Sequence, residues 1–361
     1  MKYSPLALIA ELTHRCPLHC VYCSNPLELQ SRQNELNTET WKRVFQESAS
    51  MGIVQLHLTG GEPTAREDIV ELIQAGRESK LYVNLITSGV GLTEKKLKQY
   101  CDAGLDHVQL SLQDSQENTA NEYAGTKAHA LKLVAAKLIK KFPLAFTLNI
   151  VIHQKNIDRL EHMISLGEEL GADRLEIAHV QYYGWAFKNR AALIPNREQV
   201  LKSVALIQSA RTRLKDKLRI DFVVPDYYAK YPKPCMGGWG QKSMLIDPRG
   251  RAMPCHSAMI IPGLCFENVK ESSLASIWEE SQAFEKFRGD DWMKDPCKSC
   301  ERKSLDFGGC RCQAFLITGD AEATDPVCSL APTRERITDE LLSASQAPFE
   351  AWSYRKMKTP E

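Results

Sequence analysis

The sequence has no long apolar run and no excess of charge of either sign. No stretch approaches the roughly 20 consecutive apolar residues a membrane span requires. The apolar segment at 6–10 is too short for a secretory signal and runs straight into Glu11. Lys and Arg number 46 against 45 Asp and Glu, a formal charge of +1. Bulk electrostatics therefore offers no surface to nucleic acid or to an anionic membrane. These absences lead us to expect a cytoplasmic globular protein, and 361 residues suffice for about two domains, each with its own core.

What the chain has in abundance is cysteine. Twelve in a reducing compartment argue for metal rather than disulfides. Three sit near the N-terminus, Cys101 stands alone, and eight fall between Cys235 and Cys328, which implies at least two metal-binding regions. The first group lies in the loop Glu11-Leu-Thr-His-Arg-Cys16-Pro-Leu-His-Cys20-Val-Tyr-Cys23, after an apolar run that reads as a buried strand. Its C-x3-C-x2-C spacing is too tight for a disulfide framework and suits three thiolates on one face of an iron–sulfur cube. Three ligands on four irons leave one iron open to a substrate or cofactor. A partial zinc knuckle and three unrelated buried thiols are the competing readings.

From residue 6 to about 224, short β-rich runs alternate with amphipathic helical stretches. The expected strands are 6–12, 54–58, 82–87, 107–112, 146–152 and 175–180. Helical periodicity marks 40–50, 68–79, 93–103, 128–141 and 158–170. Thr93 and Asn156 are expected helix caps, and Gly104 and Gly171 expected helix stops. Repeated βα units build a parallel sheet with helices outside. Six units predict an α/β fold, a partial, open TIM-like (β/α)6 barrel whose site lies at the carboxyl ends of the strands. The cysteine loop follows the first strand, and Gly60-Gly61-Glu62-Pro63 follows the second. Two glycines let backbone approach a ligand closely, and a carboxylate can hold an ammonium group.

Together these motifs resemble the radical S-adenosylmethionine (SAM) superfamily over this whole region. The resemblance implies that Cys16, Cys20 and Cys23 hold a SAM-binding 4Fe-4S cluster, with Tyr22 as the family's aromatic residue before the last ligand. It further implies that Gly60, Gly61, Glu62 and Pro63 hold the methionine amino group, and that Ser88, Ser111 and Gln113 contact SAM from the strand ends. Many relatives carry an Asp just after the fourth-strand Ser-Leu and an Arg before the next Gly. This chain has Gln113 and Ala124 there. Tyr182, Tyr183 and Trp185 cluster past the sixth strand, read either as core packing or as substrate-facing.

A helical run at 197–215 leads into an apolar stretch, 218–224, and then Pro225, Pro232 and Pro234 break the pattern, the expected domain boundary. Beyond it lie Cys235, Cys255, Cys297, Cys300, Cys310, Cys312 and Cys328. Zinc is one reading of this set. The pattern also resembles the SPASM domain, the auxiliary-cluster extension of peptide-modifying radical SAM enzymes, with Asp306 where that pattern has a cysteine. The resemblance implies one auxiliary cluster on Cys235, Cys255, Cys310 and Cys312. A second would sit on Cys297, Cys300, Asp306 and Cys328, each cluster 4Fe-4S or 2Fe-2S. A carboxylate is a harder donor than a thiolate, and ligand identity is one lever on cluster potential. Cys101 and Cys265 remain as inert core thiols. The expected division is a radical SAM core over 1–225, a SPASM domain over 226–332, and a helix with a frayed tail over 333–361.

The Asp-for-Cys exchange, Gly-Gly-Cys-Arg-Cys-Gln-Ala at 308–314, and Cys23-Ser-Asn-Pro narrow the resemblance. They resemble the peptide cyclases of pyrroloquinoline quinone (PQQ) biosynthesis. Such enzymes join a glutamate side-chain carbon to a tyrosine ring carbon within a small precursor peptide, PqqA, presented by a carrier protein, PqqD. The implied chemistry is reductive cleavage of SAM, hydrogen abstraction from the glutamate, and addition to the ring. An auxiliary cluster would then accept the electron lost on rearomatisation, and flavodoxin or ferredoxin would be the donor to the first cluster. No general base is assigned beyond the cluster ligands. Sulfatase maturases and thioether-forming enzymes share this architecture and form one alternative; a non-enzymatic iron–sulfur carrier forms another.

Overall fold

Six amphipathic βα repeats meeting along apolar strand faces dictate the architecture. The structure, a computed structural model, describes residues 3–223, 226–346 and 351–356. Strands β1 (Ala7–Thr13), β2 (Gln55–Gly60), β3 (Tyr82–Thr87), β4 (His107–Leu112), β5 (Ala145–Ile152) and β6 (Arg174–His179) are all parallel and adjacent in chain order. Between them run α1 (Thr38–Ser50), α2 (Ile69–Glu78), α3 (Glu94–Asp102), α4 (Glu117–Ala124), α5 (His129–Ile139) and α6 (Leu160–Glu169). The six expected strands are thus present, and the barrel is open.

Local chemistry sets the helix ends. Asn37 accepts from Thr40 N at the start of α1, and Thr93 accepts from Lys96 N at the start of α3. Gly104 and Gly171 leave their helices at φ of 98° and 68°, as expected of helix stops. Asn156 lies at the expected boundary but caps no helix with its side chain. Its oxygen accepts from His153 N instead.

Alternate strand residues divide the two faces of the sheet. Leu8, Leu56, Leu58, Val83, Leu85, Val108, Leu148 and Ile177 are fully buried in one continuous core. Gly76 of α2 lies directly against Leu56 and Val83, which places that face under the helices. Many of the intervening residues are polar and face the other side of the sheet. There Asn84 Nδ2 meets His57 Nδ1 at 3.0 Å, and Gln109 donates to Glu176 at 3.1 Å.

The sheet extends past the six repeats at both edges. The apolar stretch at 218–224, expected only as a lead into the boundary, forms β7 (Arg219–Val223), parallel to β6. It is preceded by α7 (Gly184–Lys188), α8 (Arg190–Leu193) and the long α9 (Arg197–Arg213), whose capping box joins Asn196 and Gln199. At the other edge β8 (Ser243–Ile246) pairs in parallel with β1, and β9 (Ala252–Met253) returns antiparallel to β8. The cysteine-rich half is therefore stitched to the barrel through backbone hydrogen bonds. Four short helices frame its loops: α10 (Leu274–Glu280), α11 (Gln282–Glu285), α12 (Lys303–Asp306) and α13 (Arg311–Thr318). The final helix is α14 (Glu335–Gln346).

Val224 and Pro225, where the domain boundary is expected, lie outside the described residues, as do 347–350 and 357–361. The expectation of a frayed tail fails for 351–356. Trp352 and Tyr354 pack into an apolar cluster with Val21, Tyr123 and Tyr182, because the tail carries aromatic side chains that gain by burial at the barrel mouth.

Sharing one sheet, barrel and cysteine-rich half are expected to unfold together. Met244, fully buried on β8, gives the check. Met244→Ala should cost about 2–5 kcal/mol and move near- and far-ultraviolet unfolding transitions by the same amount. Two separated transitions would contradict a single cooperative sheet.

Candidate functional site

Parallel pairing of β1 with β2 brings the loops that follow them side by side at one end of the sheet. Gly61 N donates to the Thr13 carbonyl at 2.6 Å and Glu62 N to that of Arg15 at 2.7 Å. A Cβ on Gly60 would stand 2.3 Å from the Thr13 oxygen, and one on Gly61 2.3 Å from the Arg15 oxygen. Both positions therefore require glycine for the approach of two backbones. Glu62 is buried, and its carboxylate accepts from the hydroxyls of Thr64 and Thr87 and from Ser88 N and Oγ, at 2.6–2.7 Å. The carboxylate is thus tied into the strand ends rather than left free to meet an ammonium group. Ser88, expected as a SAM contact, uses its hydroxyl proton on Glu62.

The cysteine loop turns its three thiols into this corner. All three are half-buried and free. Cys16 Sγ accepts from Leu18 N at 3.4 Å, and Cys23 Sγ lies 3.2 Å from Asn25 Oδ1. Burial pushes the Cys16 thiol up to about 11 and that of Cys20 to about 12, and it raises Cys23 as well. Sulfur in such surroundings becomes thiolate only with a cation to hold it, as a metal-binding set requires. The thiols fit a cluster for that reason.

Two cations missed by sequence reasoning stand beside them. Lys132 of α5 is fully buried, and its Nζ donates to the Ser111 carbonyl at 2.8 Å and to Ser111 Oγ at 3.2 Å. Burial lowers it to about 8, against the opposing pull of Cys20, Glu62 and Cys16. The second is Arg355 from the docked tail, whose charge acts on all three thiols. Neither lies in a motif, so only their placement could reveal them. Gln113 is buried and hydrogen-bonds the Tyr22 hydroxyl, while the Tyr22 ring packs 5.7 Å from His153.

In the cysteine-rich half, the sulfurs of Cys235, Cys310, Cys312 and Cys255 form a chain of contacts, with Cys255 and Cys312 4.0 Å apart. Hydrogen bonds from Cys235, Cys312 and Tyr183 hold the Cys310 thiol well below its usual range. Gly309 sits so tightly on Asp325 that a Cβ would come within 2.5 Å of its carboxylate. That buried carboxylate accepts from Cys310 N, Val327 N and Gln313 Nε2, which fixes the loop. Cys297, Cys300, Asp306 and Cys328 line one pocket with Thr324 and Pro232. Asp306 is buried there, with its Oδ1 accepting from Gly308 N at 3.1 Å and its Oδ2 3.6 Å from Arg302 Nε. No three His, Cys, Asp or Glu side chains among the described residues gather as ligands of a single ion.

The aromatic cluster is packing rather than a free face. The Tyr182 ring packs tilted against Tyr227, centroids 5.0 Å apart, and Trp185 is buried. Tyr183 joins the two cysteine regions, since its hydroxyl meets Cys310 Sγ at 2.8 Å while the nearby Trp185 N donates to the Cys23 carbonyl. Of the two unassigned thiols, Cys101 is half-buried. Cys265 is exposed, contrary to expectation, because its turn lies on the surface.

The glycine contact generates a direct test. Gly61→Ala must push apart two backbones, at a cost of about 1–3 kcal/mol. It should lower the denaturation midpoint and speed alkylation of the thiols at 16, 20 and 23 in metal-free protein. Unchanged stability and labelling would mean that the two loops are not locked together.

The radical SAM superfamily pattern matches residues 10–167, and the iron–sulfur cluster-binding SPASM pattern matches 235–301. A PqqA peptide cyclase of Methylobacterium nodulans is 55% identical over 348 residues, covering 96% of this chain and 91% of its own. One from Gluconobacter oxydans is 51% identical over 353 residues, covering 98% of each chain. Streptococcus suis SuiB bound to S-adenosylmethionine shares the fold, with a TM-score of 0.76 at 19% identity over 90% of this chain and 77% of its own. The chain belongs to the PqqA peptide cyclases, radical SAM enzymes with an iron–sulfur SPASM domain.

Proposed function

We propose that this enzyme joins a glutamate side-chain carbon to a tyrosine ring carbon within PqqA, an early step of PQQ biosynthesis. Cys16, Cys20 and Cys23 hold the SAM-binding cluster in this reading. The observation that carries it is the docking of the Gly60–Pro63 turn onto the cysteine loop, which gives three thiols and a close-approaching backbone one shared corner. A cluster and SAM bound there would supply a 5′-deoxyadenosyl radical by one-electron reduction of the sulfonium.

The rest of the work falls to the chain's own groups. The backbone from Gly60 to Pro63 holds the methionine amino group. Ser111, with the Lys132 ammonium behind it, and Gln113, held by Tyr22, orient SAM from the strand ends. The strap at 351–356 and the buried ring of Trp185 keep water from the cluster corner. Closing the new bond leaves the tyrosine ring to lose one electron and one proton. The eight ligands from Cys235 to Cys328, Asp306 included, supply two redox sites for that purpose. PqqD presents the peptide, flavodoxin or ferredoxin supplies electrons, and the cytoplasm keeps all twelve cysteines free.

A sulfatase maturase or thioether-forming activity is the second reading; Asp306, buried in the pocket of Cys297, Cys300 and Cys328, is the observation that disfavours it. A pure electron carrier has no need of the Gly60–Pro63 turn. Incubation with SAM, reductant, PqqD and PqqA is expected to yield a peptide lighter by two hydrogens. An unchanged peptide mass with 5′-deoxyadenosine still formed would remove the substrate and leave the radical chemistry intact.

The auxiliary ligands have their own test. Asp306→Ala should alter the spectrum or potential of one auxiliary cluster while the N-terminal cluster persists; unaltered auxiliary spectra would take Asp306 off the ligand set. Tyr183→Phe should lower the potential of the cluster on Cys310, since a hydrogen bond to a ligand sulfur favours the reduced state. Redox titration followed by electron paramagnetic resonance reads both.

A further inference from the structure

The strap at 351–356 returns from α14 and fastens itself across the barrel mouth. Ser353 N donates to Asn189 Oδ1 and Asn189 Nδ2 to the Ser353 carbonyl, each at 2.8 Å. Trp352 Nε1 donates to Glu122 at 2.7 Å. The Tyr354 ring lies so near Gly125 that a Cβ there would come within 2.8 Å of it. These anchors deliver the next residue, Arg355, into the cysteine loop. Arg355 N donates to the His19 carbonyl at 3.1 Å, and His19 Nδ1 meets the Arg355 carbonyl at 2.8 Å. Its Nη2 donates to the His14 carbonyl.

Arg355 is only 2% exposed, and its Nε is buried with no hydrogen-bond partner among the described residues. Burying a guanidinium charge is costly without an anion. Its charge acts on the three thiols in common. Of the two buried carboxylates in this corner, Glu62 is satisfied by Thr64, Thr87 and Ser88, and Glu11 stands 3.6 Å from His14 Nε2. The guanidinium is therefore a fixed cation with spare donor capacity, held over a corner that fills with negative charge once the sulfurs become thiolates.

We infer that Arg355 is a positioning residue of the cofactor site: the C-terminal strap supplies the positive charge that offsets the anionic cluster and the carboxylate of SAM bound beside it. The inference rests on Cys16, Cys20 and Cys23 being the cluster ligands. It makes the last part of the chain a component of the site rather than a trailing end. A fixed cation beside a cluster favours its reduced, more negative state, because the protein interior screens charge poorly.

The experiment compares the full-length reconstituted enzyme with Arg355→Gln, Arg355→Lys and Trp352→Ala, the last releasing the strap from Glu122. Two readouts apply: the reduced fraction of the N-terminal cluster at a fixed potential, and equilibrium SAM binding. Arg355→Gln is expected to lower the reduced-to-oxidised ratio about tenfold, or about 59 mV for a one-electron couple. It should also weaken SAM binding by roughly tenfold or more. Arg355→Lys should recover most of both, and Trp352→Ala should move both in the same direction as Arg355→Gln. A change already present without SAM places the offset charge on the cluster, and one seen only with SAM places it on the carboxylate; either supports the inference. Unchanged reduced fraction and SAM affinity, in variants whose auxiliary-cluster spectra match the unaltered enzyme, would overturn it. Absence of an N-terminal cluster in the unaltered enzyme would overturn the ligand reading and this inference with it.

Discussion

Two backbone turns meet with no room for a side chain between them, and the rest of the site depends on that contact. Gly61 N reaches the Thr13 carbonyl at 2.6 Å, and the missing Cβ atoms of Gly60 and Gly61 are what permit it. The contact sets the height of the cysteine loop above the sheet. It also buries Glu62 where Thr87 and Ser88 of the next strand end can donate to it. Three consecutive strand ends are thereby tied together before any cofactor is considered. A loop carrying three thiols is given a fixed shape by the glycine turn and the strand ends beside it.

Burial then creates an electrostatic problem that the surrounding chain addresses with charge. Thiols pushed up by desolvation are poor thiolates, and a site meant for cluster ligands must favour the ionised sulfur. Lys132 and Arg355 bring positive charge from α5 and from the C-terminal strap, residues 223 apart in sequence. In the cysteine-rich half the Tyr183 hydroxyl reaches Cys310 Sγ at 2.8 Å, a contact that can favour the ionised sulfur. The segment around Tyr183 also contacts the backbone of Cys23, so the two regions are linked through a few buried residues as well as through the sheet.

The parallel repeats were legible because their signal is local and repeated. Strands 82–87 and 107–112 coincide with β3 and β4 residue for residue, since β-favouring residues recur there with a buried residue at alternate positions. Thr93 capped its helix as its position before Glu94 suggested. The extra strands were not legible. A five-residue stretch such as Arg219–Val223 becomes a strand only because β6 offers it an open edge, and Ser243–Ile246 only because β1 does. Cys265 was misplaced for a related reason, as nothing in a single cysteine's neighbours tells whether its turn faces solvent.

The sequence by itself determined the chemistry of this protein: which residues are cysteines, at what spacing, after which strands, and with which glycines beside them. Those properties are local, and the close spacing of ligands along the chain carries them. What only the tertiary structure decided was the electrostatic setting of that chemistry. Lys132 lies on an ordinary helix and Arg355 in a polar tail, and neither residue type nor spacing marks either one. Their roles arise from burial and from the partners that folding brings near, quantities that depend on the whole chain at once. The same holds for Asp306, whose carboxylate shares a pocket with Cys297, Cys300 and Cys328 only once the chain has folded.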